Sequence, residues 1–347
     1  MPEGKNSSRS IAYWLLTGCV LIFLMVAIGG ITRLTNSGLS MVEWNLFMGS
    51  VPPSSDADWN ELFDKYKQYP EYQLVNFNIT LDEFKSIFFW EYFHRMFGRL
   101  IGLVFIIPFL WFLFKKKISK ALMPKLILIL ILGAFQGFLG WYMVKSGLVK
   151  DPDVSHYRLA MHLTTAFLTF AYTFWVALSL LYPNEQLSTN KNLNSIKRYL
   201  KVFMLVLLVQ IVWGAYVAGM NAGKIYNTWP LMGDSWMPES VTAMTPLWMN
   251  FFENIAGVQF FHRYLAYAVI GLVVLIYFKS RKLKLELSQS KGINALLIVV
   301  SFQFLLGILT VIYAVPLSLG LLHQLGAFLL LGATVFALQR FTFSRLV

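Results

Sequence analysis

Four of the five histidines in this 347-residue chain lie near the starts of long apolar segments. They form two pairs at similar positions in the two halves of the sequence, His94 with His162 and His262 with His323. Ionisable groups are costly inside a membrane-spanning segment and usually mark a functional site. A zinc site generally takes about three or four protein ligands, and each pair offers only two imidazoles. Two opposed imidazoles suit the axial positions of a heme, whose porphyrin supplies the remaining nitrogen ligands.

Each of these histidines is followed, one helical turn later, by a small residue. The four small residues are Gly98, Ala166, Ala266 and Ala327, and Gly102 extends the first of these stripes. Residues at i and i+4 share one helix face, so a flat ring could lie against that face beside the histidine. Small residues also allow membrane helices to pack closely. Their presence at all four positions favours a flat ligand, with each half of the chain a four-helix bundle around it.

The composition indicates which elements position these histidines. Hydrophobic residues make up 57% of the chain and charged residues 13%, which predicts an all-α integral membrane protein. Segments of about 20 apolar residues are long enough to span a bilayer. Eight such spans are predicted near residues 11–31, 95–114, 123–144, 158–181, 200–219, 262–278, 293–313 and 319–339. Pro316 is the expected break between the last two spans.

The distribution of charge predicts the topology. The termini and the loops after helices two, four and six hold 18 Lys and Arg with 3 Asp and Glu, whereas the remaining residues hold 11 with 14. Basic residues accumulate on the cytoplasmic side, so both termini are expected there. The net charge of +12 therefore reflects membrane orientation and not a nucleic-acid partner. Residues 1–10 are short and polar, without a long Arg- and Ser-rich transit segment, and no cleavage site follows the first helix. We therefore expect a retained first span in a bacterial plasma membrane, in contact with lipid.

Collinear internal matches predict two tandem four-helix bundles related by pseudo-two-fold symmetry along the membrane normal. The matched positions are Asn36-Ser37-Gly38 with Asn221-Ala222-Gly223, Trp44-Asn45-Leu46 with Trp229-Pro230-Leu231, Phe93-His94-Arg95 with Phe261-His262-Arg263, Gln136 and Gly140 with Gln303 and Gly307, and His162 with His323. The first half is residues 1–182, with an outer segment at 34–90, and the second half is residues 183–347. Within the outer segment, Asp56 to Tyr69 and Thr80 to Phe88 are candidate short helices.

The halves differ three residues before the first histidine of each pair. The first half has Glu91 there, and the second has Gln259. A carboxylate can transfer a proton or stabilise a developing cation, and an amide can do neither. Glu91 is therefore the candidate catalytic residue. A structural role remains open, in which it orients His94 or pairs with Arg95.

Several other polar residues have less specific interpretations. His156 precedes helix four, where either a solvated or a substrate-contacting role is possible. Cys19 is the single cysteine and is interpreted as a small core residue. The glutamines that precede a glycine by four residues, namely Gln136, Gln210 and Gln303, are interpreted as interhelical hydrogen-bonding groups. Basic residues near the outer face could pair with heme propionates or anchor at the interface; these are Arg33, Arg95, Arg99, Lys145, Arg158, Lys224 and Arg263.

Several of these sequence runs resemble the heme A synthase family, in the branch shared by many bacteria and mitochondria. The runs are Gly29 to Ser40, Trp90 to Arg95, Gly98 to Gly102, Met161-His162, Phe261-His262-Arg263 and Leu322-His323-Gln324. The resemblance covers nearly the whole chain. Some relatives carry a cysteine pair in the first outer loop, which this chain lacks, so no thiol step applies there.

The resemblance implies oxidation of the methyl group at ring position 8 of heme O to a formyl group, giving heme A for cytochrome oxidase. It implies that His262 and His323 bind a resident heme b through its iron, toward the outer face. It also implies that His94 and His162 frame the substrate heme and that Glu91 matches the family's functional glutamate. Heme O synthase, cytochrome oxidase assembly factors and an electron donor that the residues do not identify are the implied partners.

Three other classes of membrane protein fit these residues less well. A diheme b-type cytochrome that takes electrons from quinol would usually place its hemes on opposite sides, whereas all four histidines here lie on one side. A transporter with parallel repeats would not need four matched histidines. A heme O synthase would need an aspartate-rich diphosphate site, and Asp56-Ala57-Asp58 and Asp151-Pro152-Asp153 are too sparse for that.

The predicted topology can be tested by cysteine labelling of intact cells. In a Cys19→Ser background, Asp58→Cys should react with a membrane-impermeant maleimide added outside, because residues 34–90 are expected there. Lys116→Cys, in a predicted cytoplasmic loop, is the control and should react only after the cells are opened. Labelling of the Asp58→Cys variant from the cytoplasmic side alone would overturn the topology.

Overall fold

Long apolar helices form nearly all of the computed structural model, which describes residues 3–42, 52–147, 154–182, 186–187 and 191–344. The helices are α1 Glu3–Leu34, α2 Asp56–Tyr66, α3 Pro70–Leu74, α4 Leu81–Phe114, α5 Met123–Gly147, α6 His156–Leu181, α7 Lys191–Gly219, α8 Ile255–Ser280, α9 Leu287–Ile312 and α10 Leu317–Thr342. Short 3-10 helices at Ala222–Lys224, Glu239–Thr242 and Leu247–Phe251 lie between α7 and α8. Two-residue strands, β1 Gln186–Leu187 and β2 Phe343–Ser344, pair antiparallel.

Eight of the described helices are long and apolar enough to cross a membrane, namely α1 and α4 to α10. The predicted spans are confirmed, and the chain is a multi-pass membrane protein. Asp151-Pro152-Asp153 and Trp44-Asn45-Leu46 lie outside the described residues. Pro316 is the residue just before α10, as predicted, and α9 ends at Ile312.

The helix that carries His94 begins much earlier than its apolar span. Thr80 caps α4: its hydroxyl accepts from the Glu83 N–H, and the Glu83 carboxylate accepts from the Thr80 N–H at 2.7 Å. Such a capping box satisfies N–H groups that lack partners in the first helical turn. Residues Thr80 to Phe88 are therefore the start of α4 and not a separate short helix, because no glycine or proline interrupts the chain before His94. The other candidate is confirmed as α2, which ends at Tyr66, three residues early.

The eight spanning helices form an inner and an outer group. Helices α1, α6, α7 and α10 pack against one another at the centre, and α4, α5, α8 and α9 lie outside them. The central core includes Phe167 on α6, Phe203 on α7 and Phe328 on α10, all nearly inaccessible. The first and fourth spans of each half are thus the inner ones. This arrangement is consistent with two tandem four-helix bundles.

Equivalent turns after α1 and α7 agree with the proposed repeat. Asn36 and Asn221 both adopt left-handed backbone conformations, with φ of 50° and 52°. Asparagine tolerates this region better than most residues with a side chain. The matched Asn-x-Gly runs therefore mark the same kind of turn at the end of the first span in each half.

The outer segment folds as an aromatic cap on the end of α4. The buried residues Phe63 and Tyr66 of α2 stack on Phe84 of α4, with ring centroids 5.0 and 5.1 Å apart. The Tyr66 hydroxyl donates to Glu71 at 3.1 Å and accepts from Asn76 at 2.8 Å. Burial, with Glu71 beside it, raises the pKa of Tyr66, so the hydroxyl remains a donor. The cap therefore packs against the first turns of α4, a helix that begins thirteen residues before His94.

Close packing at the start of α8 allows a test of this fold. A Cβ atom at Gly257 would lie 1.9 Å from the carbonyl oxygen of Asn250, so Gly257→Ala must displace the segment Leu247–Phe251. Overpacking of this kind typically costs about 1–3 kcal/mol. We expect a lower thermal unfolding temperature for this variant in detergent. Gly271→Ala is the control in the same helix, because no atom lies within 4 Å of its Cβ position, and an equal effect of both changes would contradict the packing.

Candidate heme sites

In the second half, two histidines from different helices face each other across a narrow gap. The rings of His262 on α8 and His323 on α10 have centroids 6.4 Å apart and planes at 86°. Two metal–nitrogen bonds of about 2 Å, together with about 1 Å from each ring centre to its nitrogen, require a separation of about 6 Å. The spacing therefore fits one metal ion bound between the two rings, as in a heme with two axial imidazoles.

A glutamine on the neighbouring odd-numbered helix contacts each of these histidines. Gln303 on α9 donates through its amide nitrogen to Nδ1 of His323 at 3.1 Å and to the His323 carbonyl at 2.9 Å. Gln210 on α7 donates to the His262 carbonyl at 3.0 Å, and its amide nitrogen lies 3.5 Å from Nε2 of His262. These contacts tie each histidine to a second helix, as expected for interhelical glutamines.

A glycine one turn after each glutamine lies against the same imidazole ring. A Cβ atom at Gly214 would approach Cε1 of His262 to 3.0 Å, and one at Gly307 would approach Cε1 of His323 to the same distance. That distance is tighter than ordinary van der Waals contact, so any side chain at these positions would push the ring away. The two glycines therefore set how far each imidazole reaches into the gap.

A cavity surrounds this pair of histidines. It is lined by Ala266 and Ala327, the small residues one turn after the histidines, as the sequence pattern predicted. Three basic residues, Arg33, Lys224 and Arg263, also line it. The cavity therefore combines two nitrogen ligands, apolar walls and cationic groups suited to carboxylates, which is the donor set that a heme requires.

The first half repeats this arrangement around His162. With its amide oriented to satisfy its neighbours, Gln136 on α5 donates to Nδ1 of His162 at 3.2 Å and to the His162 carbonyl at 3.3 Å. A Cβ atom at Gly140 would lie 3.5 Å from the His162 ring. His94 on α4 contacts Gly29 of α1 in the same way, at 3.0 Å. Each histidine of the first half thus also has a glycine beside its ring, tightly at Gly29 and at an ordinary contact distance at Gly140.

Glu91 is buried, with both carboxylate oxygens occupied by donors. One oxygen accepts from the Ser40 hydroxyl and from the Met41 N–H, each at 2.8 Å, and the other accepts from Arg95 at 2.5 Å. Arg95 also donates to the Met41 carbonyl at 3.0 Å. Glu91 therefore fastens the segment after α1 to α4, so the pairing with Arg95 considered from the sequence is present.

The equivalent residues of the second half fasten the equivalent segment. Gln259 donates to the Tyr226 carbonyl at 3.1 Å, and Arg263 donates to the Thr228 carbonyl at 2.6 Å. The position three residues before the histidine thus has an anchoring role in both halves. A carboxylate is not needed for that role, since the amide of Gln259 also fulfils it.

The remaining sequence candidates divide into two groups. Arg33, Lys224 and Arg263 line the second-half cavity, although Arg33 belongs to the first half; it donates to the Ala218 carbonyl of α7 at 2.6 Å. His156 instead packs between Tyr157 and Gly219 at the junction of α6 and α7. Arg158 stacks on the ring of Tyr142 at 3.8 Å. Lys145 lies over Trp141, and Cys19 is buried in the central core.

Sequence reasoning missed two features of these sites. The three glutamines were expected to bond between helices, but their partners, the histidines, were not identified. The same four-residue spacing separates glutamine from glycine on the odd-numbered helices and histidine from a small residue on the even-numbered helices. This shared spacing could have predicted that the glutamines contact the histidines. Nothing in the sequence indicated that Arg33, a residue of the first half, lines the cavity of the second half.

The fold and the facing histidines define a polytopic membrane protein with two imidazoles opposed between its helices. A sequence model of the family described as "Cytochrome oxidase assembly protein" matches residues 12–335. A protein of Flavobacterium johnsoniae named heme A synthase is 52% identical over 97% of this chain and 99% of its own length. The heme A synthase of Nitrosospira multiformis is 48% identical over 94% of this chain and 92% of its own length. The chain belongs to this cytochrome oxidase assembly family.

Proposed function

We propose that this protein is a heme A synthase, an oxidoreductase that converts the C8 methyl group of heme O to a formyl group. The observation that carries the proposal is the similarity to proteins named heme A synthase over nearly the full length of both chains. The facing imidazoles of His262 and His323 support it, because their spacing fits an iron bound between them.

In this proposal the two histidine pairs have different occupants. His262 and His323 bind a resident heme b, with Gln210 and Gln303 fixing the orientation of the imidazoles and Arg33, Lys224 and Arg263 facing the propionates. Bound there, heme b supplies one-electron transfer. His94 and His162 hold heme O as the substrate. Packing of α1, α6, α7 and α10 at the centre keeps the two sites at a fixed distance.

Glu91 is the proposed catalytic residue near the substrate. It lies one turn before His94 on α4, and the second half has an amide, Gln259, at the equivalent position. Ser40, Met41 and Arg95 orient it and exclude water from it. A carboxylate held in this way can stabilise positive charge that develops on the substrate methyl carbon or transfer a proton from it.

The proposed setting is the plasma membrane of a bacterium, with both termini cytoplasmic and both heme sites toward the outer face. The charge distribution and the position of the aromatic cap support this orientation. Heme O synthase, as the supplier of substrate, and the assembly factors of cytochrome oxidase, as recipients of product, are the proposed partners, with a separate electron donor.

The decisive experiment is extraction of pigments from cells that express the protein together with a heme O synthase. We expect heme A in the extract by chromatography, and its absence when this chain is omitted. Recovery of heme b and unchanged heme O from a well-folded, heme-loaded protein would instead favour the diheme cytochrome alternative.

The resident heme can be tested by removing its ligands. We expect His262→Ala or His323→Ala to abolish the low-spin heme spectrum of the purified protein, because one imidazole alone leaves an axial position open. His156→Ala is the matched control, since His156 packs at the junction of α6 and α7, away from these rings, and its spectrum should be unchanged. An intact low-spin spectrum in folded His262→Ala protein would contradict the assignment of His262 as a ligand of the resident heme.

Exchange of the acid and the amide tests the role of Glu91. Glutamine matches glutamate in volume and keeps one acceptor oxygen, so Glu91→Gln should retain heme b. If Glu91 acts on protons or charge, formyl production should fall by about 10²–10⁴-fold, the range typical of general acid–base groups. Gln259→Glu, the reciprocal change, should be comparatively mild. Hemes are measured by chromatography and folding by thermal unfolding.

A different result would return Glu91 to its anchoring role. Near-normal heme A from Glu91→Gln protein would show that an amide is sufficient there, as it is at Gln259. Hydroxymethyl heme accumulating in the variant would support the proposed role, because it would place the loss after the first oxidation.

A further inference from the structure

The ligand arrangement occurs four times, and one copy departs from the other three. In three copies a glutamine contacts the histidine, and a glycine one turn later touches its ring. These copies are Gln136, Gly140 and His162; Gln210, Gly214 and His262; and Gln303, Gly307 and His323. The fourth copy keeps Gly29 and His94, but the residue one turn before Gly29 is Met25.

The change from amide to thioether removes a hydrogen bond at His94. An amide donates two hydrogens and accepts, whereas a thioether sulfur is only a weak acceptor. The terminal methyl of Met25 lies beside α4, 3.3 Å from where a Cβ of Gly98 would be. Nδ1 of His94 is buried and has no hydrogen-bond partner among the described residues. Nδ1 of His262 also lacks one, but Gln210 holds that histidine through its carbonyl and approaches its other ring nitrogen.

We infer that His94 is the exchangeable heme ligand of this protein, and that His162, His262 and His323 are the anchored ones. The inference rests on the proposed function of the two sites. An iron held by two anchored imidazoles has no free axial position for a small molecule. Met25 offers His94 no amide hydrogen bond, so His94 is the ligand expected to leave the iron, and the open position would form in the first half, on the side of α4. Met25 is thus a positioning residue that acts through His94.

The test is binding of carbon monoxide to the reduced protein, purified with resident heme b and loaded with heme O. Carbon monoxide should shift the Soret band of one of the two hemes. In Met25→Gln the new amide can donate a hydrogen bond to His94. Since carbon monoxide must displace His94, the free energy of one ordinary hydrogen bond corresponds to about fivefold weaker carbon monoxide binding. Met25→Leu is the matched control, because leucine also lacks a hydrogen-bonding group, and it should bind carbon monoxide as the wild type does.

The reverse change tests the same idea in the other half. Gln303→Met removes the amide from His323 and should make the resident heme bind carbon monoxide as well. If Met25→Gln does not fold, Gln303→Met carries the test, because it asks whether the amide is what keeps a histidine on the iron. Wild-type affinity in folded Met25→Gln protein, or a resident heme that still binds no carbon monoxide in folded Gln303→Met protein, would overturn the inference.

The outcomes also separate this inference from the proposed function. Protein that makes heme A but binds no carbon monoxide would overturn the exchangeable role of His94 and leave the function intact. Protein that binds carbon monoxide in the first half but makes no heme A would overturn the function and leave the inference intact.

Discussion

A polar side chain inside a membrane must find its partners within the protein, because lipid offers none. Three of the histidines of this protein, His162, His262 and His323, meet that constraint through a glutamine on a neighbouring helix. A histidine on one helix needs a donor on a second helix, and that donor must come close enough to reach both the ring and the backbone carbonyl. Gln303 and Gly307 meet these needs together, since the glycine lets the ring approach and the glutamine holds it. The helix pairs that carry these residues are therefore the structural units of the site.

The two halves differ in charge at one position that has the same anchoring role in both. Glu91 and Gln259 each fasten the segment after an inner helix, although only one of them carries a charge. The amide of Gln259 anchors without a charge, whereas the buried carboxylate of Glu91 carries a desolvation cost that Arg95, Ser40 and Met41 offset. Because Glu91 and Gln259 share this anchoring role, the difference between a carboxylate and an amide supports the chemical role proposed for Glu91.

The sequence predicted the spanning helices, the break at Pro316 and the approach of His262 to His323 because these depend on local composition and helical spacing. It did not predict that α4 continues from Thr80 through His94, since a capping box and a run of aromatics read equally well as a separate short helix. The partners of Gln136, Gln210 and Gln303 depend on how helices rotate and pack against one another, which periodicity alone does not fix. The reach of Arg33 into the second-half cavity depends on contact between inner helices that are far apart in sequence.

The contact between the first and last spanning helices has a consequence for biogenesis. Gln324 on α10 donates to the Val26 carbonyl of α1 at 3.0 Å, and Gly30 of α1 lies against the side chain of Leu321. Arg33, from the same helix, lines the cavity that His323 completes. Since α1 is synthesised before α10, the cavity that both helices line is complete only after α10 has been inserted and has packed against α1.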